Sequence, residues 1–124
     1  MQKLLLLDSN IIIGIANNQI DASLFDDFDI AISVVTVMEV YALAGMSERE
    51  ETTIDELLRY ITTVPITARI AKRAGLLTRT KRKRSADFLI AATALELHIP
   101  LCTHNLKDFR NITGLELVSF DLIT

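Results

Sequence analysis

The sequence contains a single cysteine, Cys102, so it cannot form an internal disulfide. Because cytosolic proteins keep their thiols reduced, this composition favours a reducing, intracellular compartment. The 124 residues include only four glycines and two prolines, and no stretch is low in complexity or resembles a linker. Since half of the residues are hydrophobic, we expect one folded domain that covers residues 1–124.

The sequence also lacks a hydrophobic run long enough to cross a membrane. Asp8 interrupts the leucines near the amino terminus after four residues, and no small-residue cleavage site of a signal peptide follows. We therefore expect a soluble cytoplasmic protein with no membrane partner.

The charges are unevenly distributed along the chain. The net charge of −3 argues against a nucleic-acid partner. Residues 69–84, however, contain eight basic residues and no acidic one, whereas acidic residues concentrate at 21–29 and 48–56. The basic block indicates a nucleic-acid partner, although a solvated surface loop would have a similar composition.

Short apolar runs alternate with segments of helical periodicity. Strands are predicted at residues 4–7, 29–35, 62–66, 101–103 and 115–118. Helices are predicted at residues 11–16, 36–45, 47–60, 67–80, 85–97 and 105–109. The fourth helix is expected to be interrupted or weakened at Gly75. Strands that are apolar throughout are typical of a sheet covered on both faces, so the pattern predicts a three-layer α/β/α fold with a mainly parallel, five-stranded sheet.

Acidic and amide side chains lie near the carboxyl ends of these strands. Asp8 follows the first strand, Glu39 lies one turn into the helix after the second, and Asp87 lies in the first turn of the helix before the fourth. Asn105 and Asp108 follow the fourth strand. Parallel sheets bind ligands at this edge, and hard oxygen donors suit Mg²⁺ or Mn²⁺. Because crowded carboxylates repel one another unless a cation lies between them, we expect a metal site here.

Most of these residues also have a purely structural interpretation. Thr36 and Glu39 match a capping box, in which Glu39 would only cap its own helix. Asp87 would stabilise its helix simply by placing a negative charge at the positive, amino-terminal end. Residues 105–108 resemble a capped helical turn. Asp8 is the hardest to explain structurally, because an ionisable group at the end of a buried strand is costly without a partner.

Three segments carry a resemblance to a known family. The opening LLLLDSNIII has a strand followed by Asp, a small hydroxyl residue and Asn, and SVVTVMEVYAL has a strand and a Glu-bearing helix. The most specific segment is ADFLIAATALELHIPLCTHNLKDF, with its Asp, its Ile-Ala-Ala-Thr-Ala core and its final Thr-x-Asn-x-x-Asp-Phe. In order and spacing, these segments resemble the PIN-domain ribonucleases, especially the VapC-type toxins of VapBC toxin–antitoxin pairs. The resemblance covers nearly the whole chain.

This resemblance implies that Asp8, Glu39, Asp87 and Asp108 are catalytic and bind Mg²⁺ or Mn²⁺. Asn105 is the alternative fourth position, and its neutral oxygen would weaken a second metal site. The implied reaction is metal-assisted hydrolysis of an RNA phosphodiester bond. Glu39 would bind the metal directly or through water, and it would be able to accept the proton of the attacking water.

The same resemblance assigns supporting roles. Asn10, Thr103 and Asn105 would orient metal ligands or water, and His104 stands where many toxins of this type carry Arg. The resemblance also implies a homodimer and a cognate antitoxin, whose peptide would lie along an apolar groove and obstruct the acidic site. Basic side chains near Asp87 would hold RNA phosphates beside the acidic centre. The candidates for this role are Arg79, Lys81, Arg82, Lys83 and Arg84.

Two other functions stay open from the sequence. An Asp after a first strand is also found in phosphoryl transfer through an aspartyl nucleophile. That chemistry commonly pairs two Asp residues, and Asn10 occupies the second position here. A non-catalytic RNA-binding or scaffold domain is the other alternative, and the amide of Asn105 is the feature that favours it.

Overall fold

The computed structural model of the chain describes residues 2–81 and 86–119. It contains five short strands, which are β1 (Lys3–Leu7), β2 (Phe28–Ser33), β3 (Thr62–Val64), β4 (Leu101–Thr103) and β5 (Leu117–Ser119). The helices are α1 (Ser9–Ala16), α2 (Val34–Tyr41), α3 (Glu48–Leu58), α4 (Ala68–Lys81), α5 (Ala86–Leu97) and α6 (Leu106–Phe109). A short 3₁₀ helix at Ala22–Phe25, which the sequence pattern did not predict, precedes β2.

The five strands form one sheet in the order β3-β2-β1-β4-β5, and all four pairings are parallel. The chain starts in the centre with β1, builds outward to one edge through β2 and β3, and then crosses to β4 on the other side of β1. The strand order therefore reverses between β1 and β4, which is where open α/β sheets bind ligands. β3 lies at one edge of the sheet and ends at Val64, two residues before the predicted end of this strand and directly before Pro65.

Helices cover both faces of the sheet, and alternate residues along β1 serve the two cores. Leu6 packs into a cluster with Ile70 of α4 and Phe88 of α5. Leu5 and Leu7, on the opposite face of the strand, pack into a second cluster together with residues of α1 and α3 such as Ile12 and Ile54. The predicted three-layer α/β/α architecture with a parallel five-stranded sheet is therefore confirmed.

The boundary between β2 and α2 differs from the prediction. The strand was expected to run to residue 35 because Val34 and Val35 are β-branched. Instead, β2 ends at Ser33, whose hydroxyl oxygen accepts a hydrogen bond from the Val35 N–H at 3.1 Å and caps α2. The helix consequently begins two residues before Thr36.

Helix α4 is continuous through Gly75, so the predicted interruption is wrong. The position is exposed, and a Cβ atom built there would meet no neighbour within 4 Å. The glycine is therefore not required by packing and only weakens the intrinsic propensity of the helix. Within residues 2–81 and 86–119, no helix is long and apolar enough to cross a lipid bilayer.

Candidate active site

Asp8 is the first residue after β1 and the N-cap of α1. Its side chain is almost completely buried, with 2% exposed. Oδ1 accepts a hydrogen bond from the Ser9 N–H at 2.7 Å, and Oδ2 accepts one from the Thr103 hydroxyl at 2.7 Å. These donors compensate for the loss of water around the carboxylate and fix its orientation.

Thr103 is the last residue of β4 and is completely buried. Its hydroxyl donates to Asp8 and accepts a hydrogen bond from the Asn105 N–H at 2.9 Å. Its single proton is therefore directed at the carboxylate. Because Asp8 follows β1 and Thr103 ends β4, this hydrogen bond crosses the point where the strand order reverses.

Glu39 lies in the second turn of α2, and it does not cap that helix. Ser33 caps α2 instead, and Thr36 lies inside the helix, so the capping-box interpretation is wrong. Oε1 of Glu39 is buried and has no hydrogen-bond partner among the described residues. Burial raises the pKa of this carboxyl most strongly, a hydrogen bond from Ser9 lowers it, and the charges of Asp8 and Asp87 raise it further.

Asp87 lies in the first turn of α5 and is partly buried. Its charge acts on Glu39, as does that of Asp8. The fold thus brings three carboxylates from α1, α2 and α5 within electrostatic range at the carboxyl edge of the sheet. Their mutual repulsion favours either protonation of one of them or a cation between them.

Other predicted site residues lie near this edge of the sheet. Asn10 is exposed in the first turn of α1, and His104 is exposed directly after β4. Asn105 occupies the N-cap position of α6, but its side chain makes no capping hydrogen bond. Asp108 is exposed on α6, and its N–H donates to the carbonyl of Asn105 at 3.0 Å.

The donor set suits a hard divalent cation, although the side chains do not already form a metal cage. Among the described residues, no group of three or more Asp, Glu, His or Cys side chains lies close enough to hold a metal ion. Carboxylate oxygens are the donors that Mg²⁺ and Mn²⁺ prefer. The buried, unpartnered Oε1 of Glu39 is the atom that a cation would satisfy. The residues therefore fit such an ion by chemistry, and the carboxylates would have to draw closer to bind it.

The sequence analysis did not assign Ser9 or Thr36 to the site. Ser9 donates its N–H to Asp8, its hydroxyl lies 3.4 Å from the same carboxylate oxygen, and it also hydrogen-bonds to Glu39. The only sequence signal for it was its place directly after Asp8. Thr36 is completely buried, and its hydroxyl has no partner among the described residues. Its spacing from Glu39 was a signal, but that spacing suggested a cap.

The predicted basic block is only partly described. Arg79 is exposed on α4, and Lys81 is the last residue of that helix. The side chain of Lys81 and the residues Arg82, Lys83 and Arg84 lie outside the described part of the chain. Their role in RNA binding stays a prediction.

Comparisons with known proteins agree with this fold. A family model of the PIN domain matches residues 5–115. The structure is similar to VapBC2 from Rickettsia felis bound to a promoter DNA fragment, with a TM-score of 0.79 and 23% identity over 95% of this chain and 99% of that one. It is also similar to VapBC-1 from nontypeable Haemophilus influenzae, with a TM-score of 0.78 and 24% identity over 95% of this chain and 98% of that one.

A further similar structure is a toxin–antitoxin complex from Klebsiella pneumoniae. The TM-score is 0.71, and the identity is 30% over 91% of this chain and 94% of that one. A search of curated proteins gave no match. The family model spans most of the sequence and includes Asp8, Glu39 and Asp87. The chain therefore belongs to the PIN-domain family.

Proposed function

We propose that this protein is a metal-dependent endoribonuclease and the toxin of a type II toxin–antitoxin pair. The observation that carries the proposal is Oε1 of Glu39, which is buried at the carboxyl edge of a PIN-domain sheet without a hydrogen-bond partner among the described residues, where the charges of Asp8 and Asp87 act on the same carboxyl. If these carboxylates only stabilised the fold, we would expect each buried oxygen to have a hydrogen-bond partner, whereas Oε1 of Glu39 has none among the described residues.

Asp8, Glu39, Asp87 and Asp108 would hold Mg²⁺ or Mn²⁺, with Asn10, Thr103 and Asn105 orienting ligands or water. When bound, such an ion lowers the pKa of a coordinated water and neutralises charge on the phosphate. The structure supports Asp8 as the most rigid ligand, because both of its oxygens accept hydrogen bonds. Asp108 is the least supported member of this set, because no described contact links it to the others.

Glu39 is the best candidate for the general base. In the metal-free chain, burial raises the pKa of the Glu39 carboxyl above its usual value, which favours uptake of a proton. The charges of Asp8 and Asp87 raise the pKa of Glu39 further, because ionised Glu39 would add a negative charge close to theirs. In the proposed reaction, Glu39 takes the proton of the attacking water while Asp8 keeps its orientation through Thr103.

A partner surface lies next to the site. Helix α2, which carries Glu39, exposes Val34, Met38 and Tyr41, with 42%, 62% and 39% of each residue accessible. The i, i+4, i+7 spacing places these side chains on one face. We propose that an antitoxin peptide packs against this face and obstructs the acidic site, and that the toxin itself forms a homodimer. The similarity to a Klebsiella pneumoniae toxin–antitoxin complex supports the antitoxin.

Cleavage of RNA by the purified protein tests the function. We expect cleavage with Mg²⁺ or Mn²⁺, none with a chelator, and none by Asp8→Asn or Asp87→Asn. Glu39→Gln should lower turnover by about 10²–10⁴-fold, which is the usual contribution of a general base. Asp27→Asn is the matched control, because Asp27 is exposed and precedes β2 at the opposite edge of the sheet. Cleavage that survives Asp8→Asn or Asp87→Asn would refute the assignment.

The alternative function is a non-catalytic RNA-binding domain. The observation that favours it is the absence of a ready-made metal cage among the described residues. This alternative predicts RNA binding without cleavage and a melting temperature that does not respond to Mg²⁺ or Mn²⁺. Both measurements separate it from the nuclease.

A further inference from the structure

The outer face of α4 carries a line of cations. Arg69, Lys72, Leu76 and Arg79 are all exposed, and their spacing of three, four and three residues places them on one face of the helix. At 1.5 Å per residue, the line from Arg69 to Arg79 is about 15 Å long. A single apolar side chain, Leu76, lies within it and has 42% of its surface exposed.

An open groove with a volume of about 460 Å³ lies on this face. Besides Arg69, Lys72 and Leu76, its lining includes Arg73 and Glu96, the latter from α5. We call this surface, with Arg79 at its end, the α4 groove. It is long and open rather than enclosed, which suits a chain-like ligand better than a small molecule.

The charge of the α4 groove is positive. No acidic residue occurs between Glu56 and Asp87 in the sequence. Among the described residues that line the groove, Glu96 is the one acidic side chain, and it already pairs with Arg73 at 2.8 Å and with Arg69 at 3.5 Å. Lys72 and Arg79 have no described ionic partner, so their charges are available to an anion.

The α4 groove leads to the candidate active site. Arg69 and Arg73, in the first half of α4, contact Glu96 near the end of α5, so the two helices run antiparallel. The end of α4 therefore lies beside the start of α5, where Asp87 is located. A strand bound along α4 would pass Arg79 and arrive at the carboxylates.

We propose that the α4 groove binds the sugar–phosphate backbone of single-stranded RNA next to the bond that is cut. The inference rests on the proposed ribonuclease function and extends the predicted contact from residues 79–84 to the length of α4. A line of cations about 15 Å long can contact more than one phosphate of a single strand. Arg69 and Arg73 contact Glu96 through Nε, so their guanidinium groups keep further donors for phosphate. A lone exposed Leu among cations is too small an apolar patch for a protein interface.

Binding to a labelled, mixed-sequence single-stranded RNA tests the proposal. The measurement uses the Asp87→Asn protein with a chelator, so that no RNA is cut. Single Lys72→Ala and Arg79→Ala changes should each weaken binding and reduce the slope of log affinity against log salt by about 0.7, the value for one phosphate contact on a single strand. Lys3→Ala and Arg59→Ala are the matched controls, because both residues are exposed and lie outside the α4 groove.

The conservative change Lys72→Arg should retain binding, which distinguishes lost contacts from misfolding. The inference is overturned if Lys72→Ala and Arg79→Ala keep the parent affinity and salt slope, or if the two controls reduce them equally. Cleavage by the wild-type protein with Mg²⁺ or Mn²⁺ is measured separately. Absence of cleavage refutes the proposed function, whereas cleavage with unchanged binding in the α4 variants refutes only the α4 groove.

Discussion

The hydrogen bond between Thr103 and Asp8 joins two residues that are 95 positions apart in the chain. Asp8 is a buried acid whose two oxygens each have a donor, and Thr103 is the donor that comes from the neighbouring strand. A carboxylate held in this way loses little orientation freedom on binding a ligand. We therefore propose that Thr103 positions Asp8 and that its hydroxyl matters more than its size.

Substitution of Thr103 by Val should show this. The change keeps the shape but removes the donor to Oδ2 of Asp8 and the acceptor of the Asn105 N–H, at a cost of about 1–3 kcal/mol in the free energy of unfolding. In metal enzymes, loss of a residue that orients a ligand lowers metal affinity or activity by about 10–100-fold, and we expect an effect of this size. Urea unfolding and cleavage rates measure the two effects. Thr103→Ser keeps the hydroxyl and should retain activity, so an equal loss in both variants would contradict the role.

Glu39 should make the metal-free protein sensitive to pH. Its pKa is raised above the usual 4.5 in the folded chain, mainly by burial, so the folded state binds a proton more tightly than the unfolded state does. Its contribution to stability is therefore present at acidic pH and is lost as the pH rises through the raised pKa. Glu39→Gln removes this loss, and in a chelator the variant should gain stability relative to wild type as the pH rises.

Urea unfolding of wild type and Glu39→Gln from acidic to neutral pH, with a chelator present, measures the difference in their free energies of unfolding. Glu56→Gln, on the exposed side of α3, corrects for the effect of exchanging a helical glutamate for glutamine. A difference between wild type and Glu39→Gln that stays constant with pH would show that the folded and unfolded chains bind the Glu39 proton equally.

At the scale of elements, the apolar runs predicted most of the sheet. The strand at 101–103 was located at its observed bounds, and the run of leucines before Asp8 located β1 to within one residue. The start of α2 was missed because Val34 and Val35 suit a strand locally, and only the Ser33 cap shows where the helix begins. That error also made Thr36 resemble an N-cap and hid its place beside Glu39 inside the helix.

Gly75 offers a direct test of how α4 is stabilised. Nothing lies within 4 Å of the position that a Cβ atom would occupy, and the backbone is helical. Gly75→Ala should therefore raise the free energy of unfolding by about 0.5–1 kcal/mol, because alanine loses less backbone entropy in a helix. Gly45→Ala is the contrasting variant, since its φ of +80° is strained for any residue with a Cβ atom, and it should destabilise. Thermal unfolding compares the two variants. Destabilisation by Gly75→Ala would contradict this expectation and would indicate that another group packs against position 75.

For the whole molecule, the sequence located candidate residues but not their distances. Asp8, Glu39 and Asp87 could be placed at strand ends or helix starts, and parallel topology made a common edge plausible. Their mutual electrostatic effect depends on the strand order β3-β2-β1-β4-β5, which local patterns do not encode. The role of Ser9 could not be predicted for the same reason: Ser9 interacts with Asp8 and also with Glu39, which is thirty positions away on another helix.

A divalent ion that draws these carboxylates together must stabilise the whole fold, because it binds the folded chain and not the unfolded one. At a metal concentration roughly a hundredfold above Kd, the gain is about 2.7 kcal/mol. For a chain of this length, that corresponds to a rise in Tm of about 10 °C. Thermal unfolding with increasing Mg²⁺ or Mn²⁺ should show this rise for wild type and for Asp27→Asn, and little of it for Asp87→Asn. An equal rise in Asp87→Asn would place the bound metal elsewhere, since Asp27 and Asp87 lose the same charge but only Asp87 acts on Glu39.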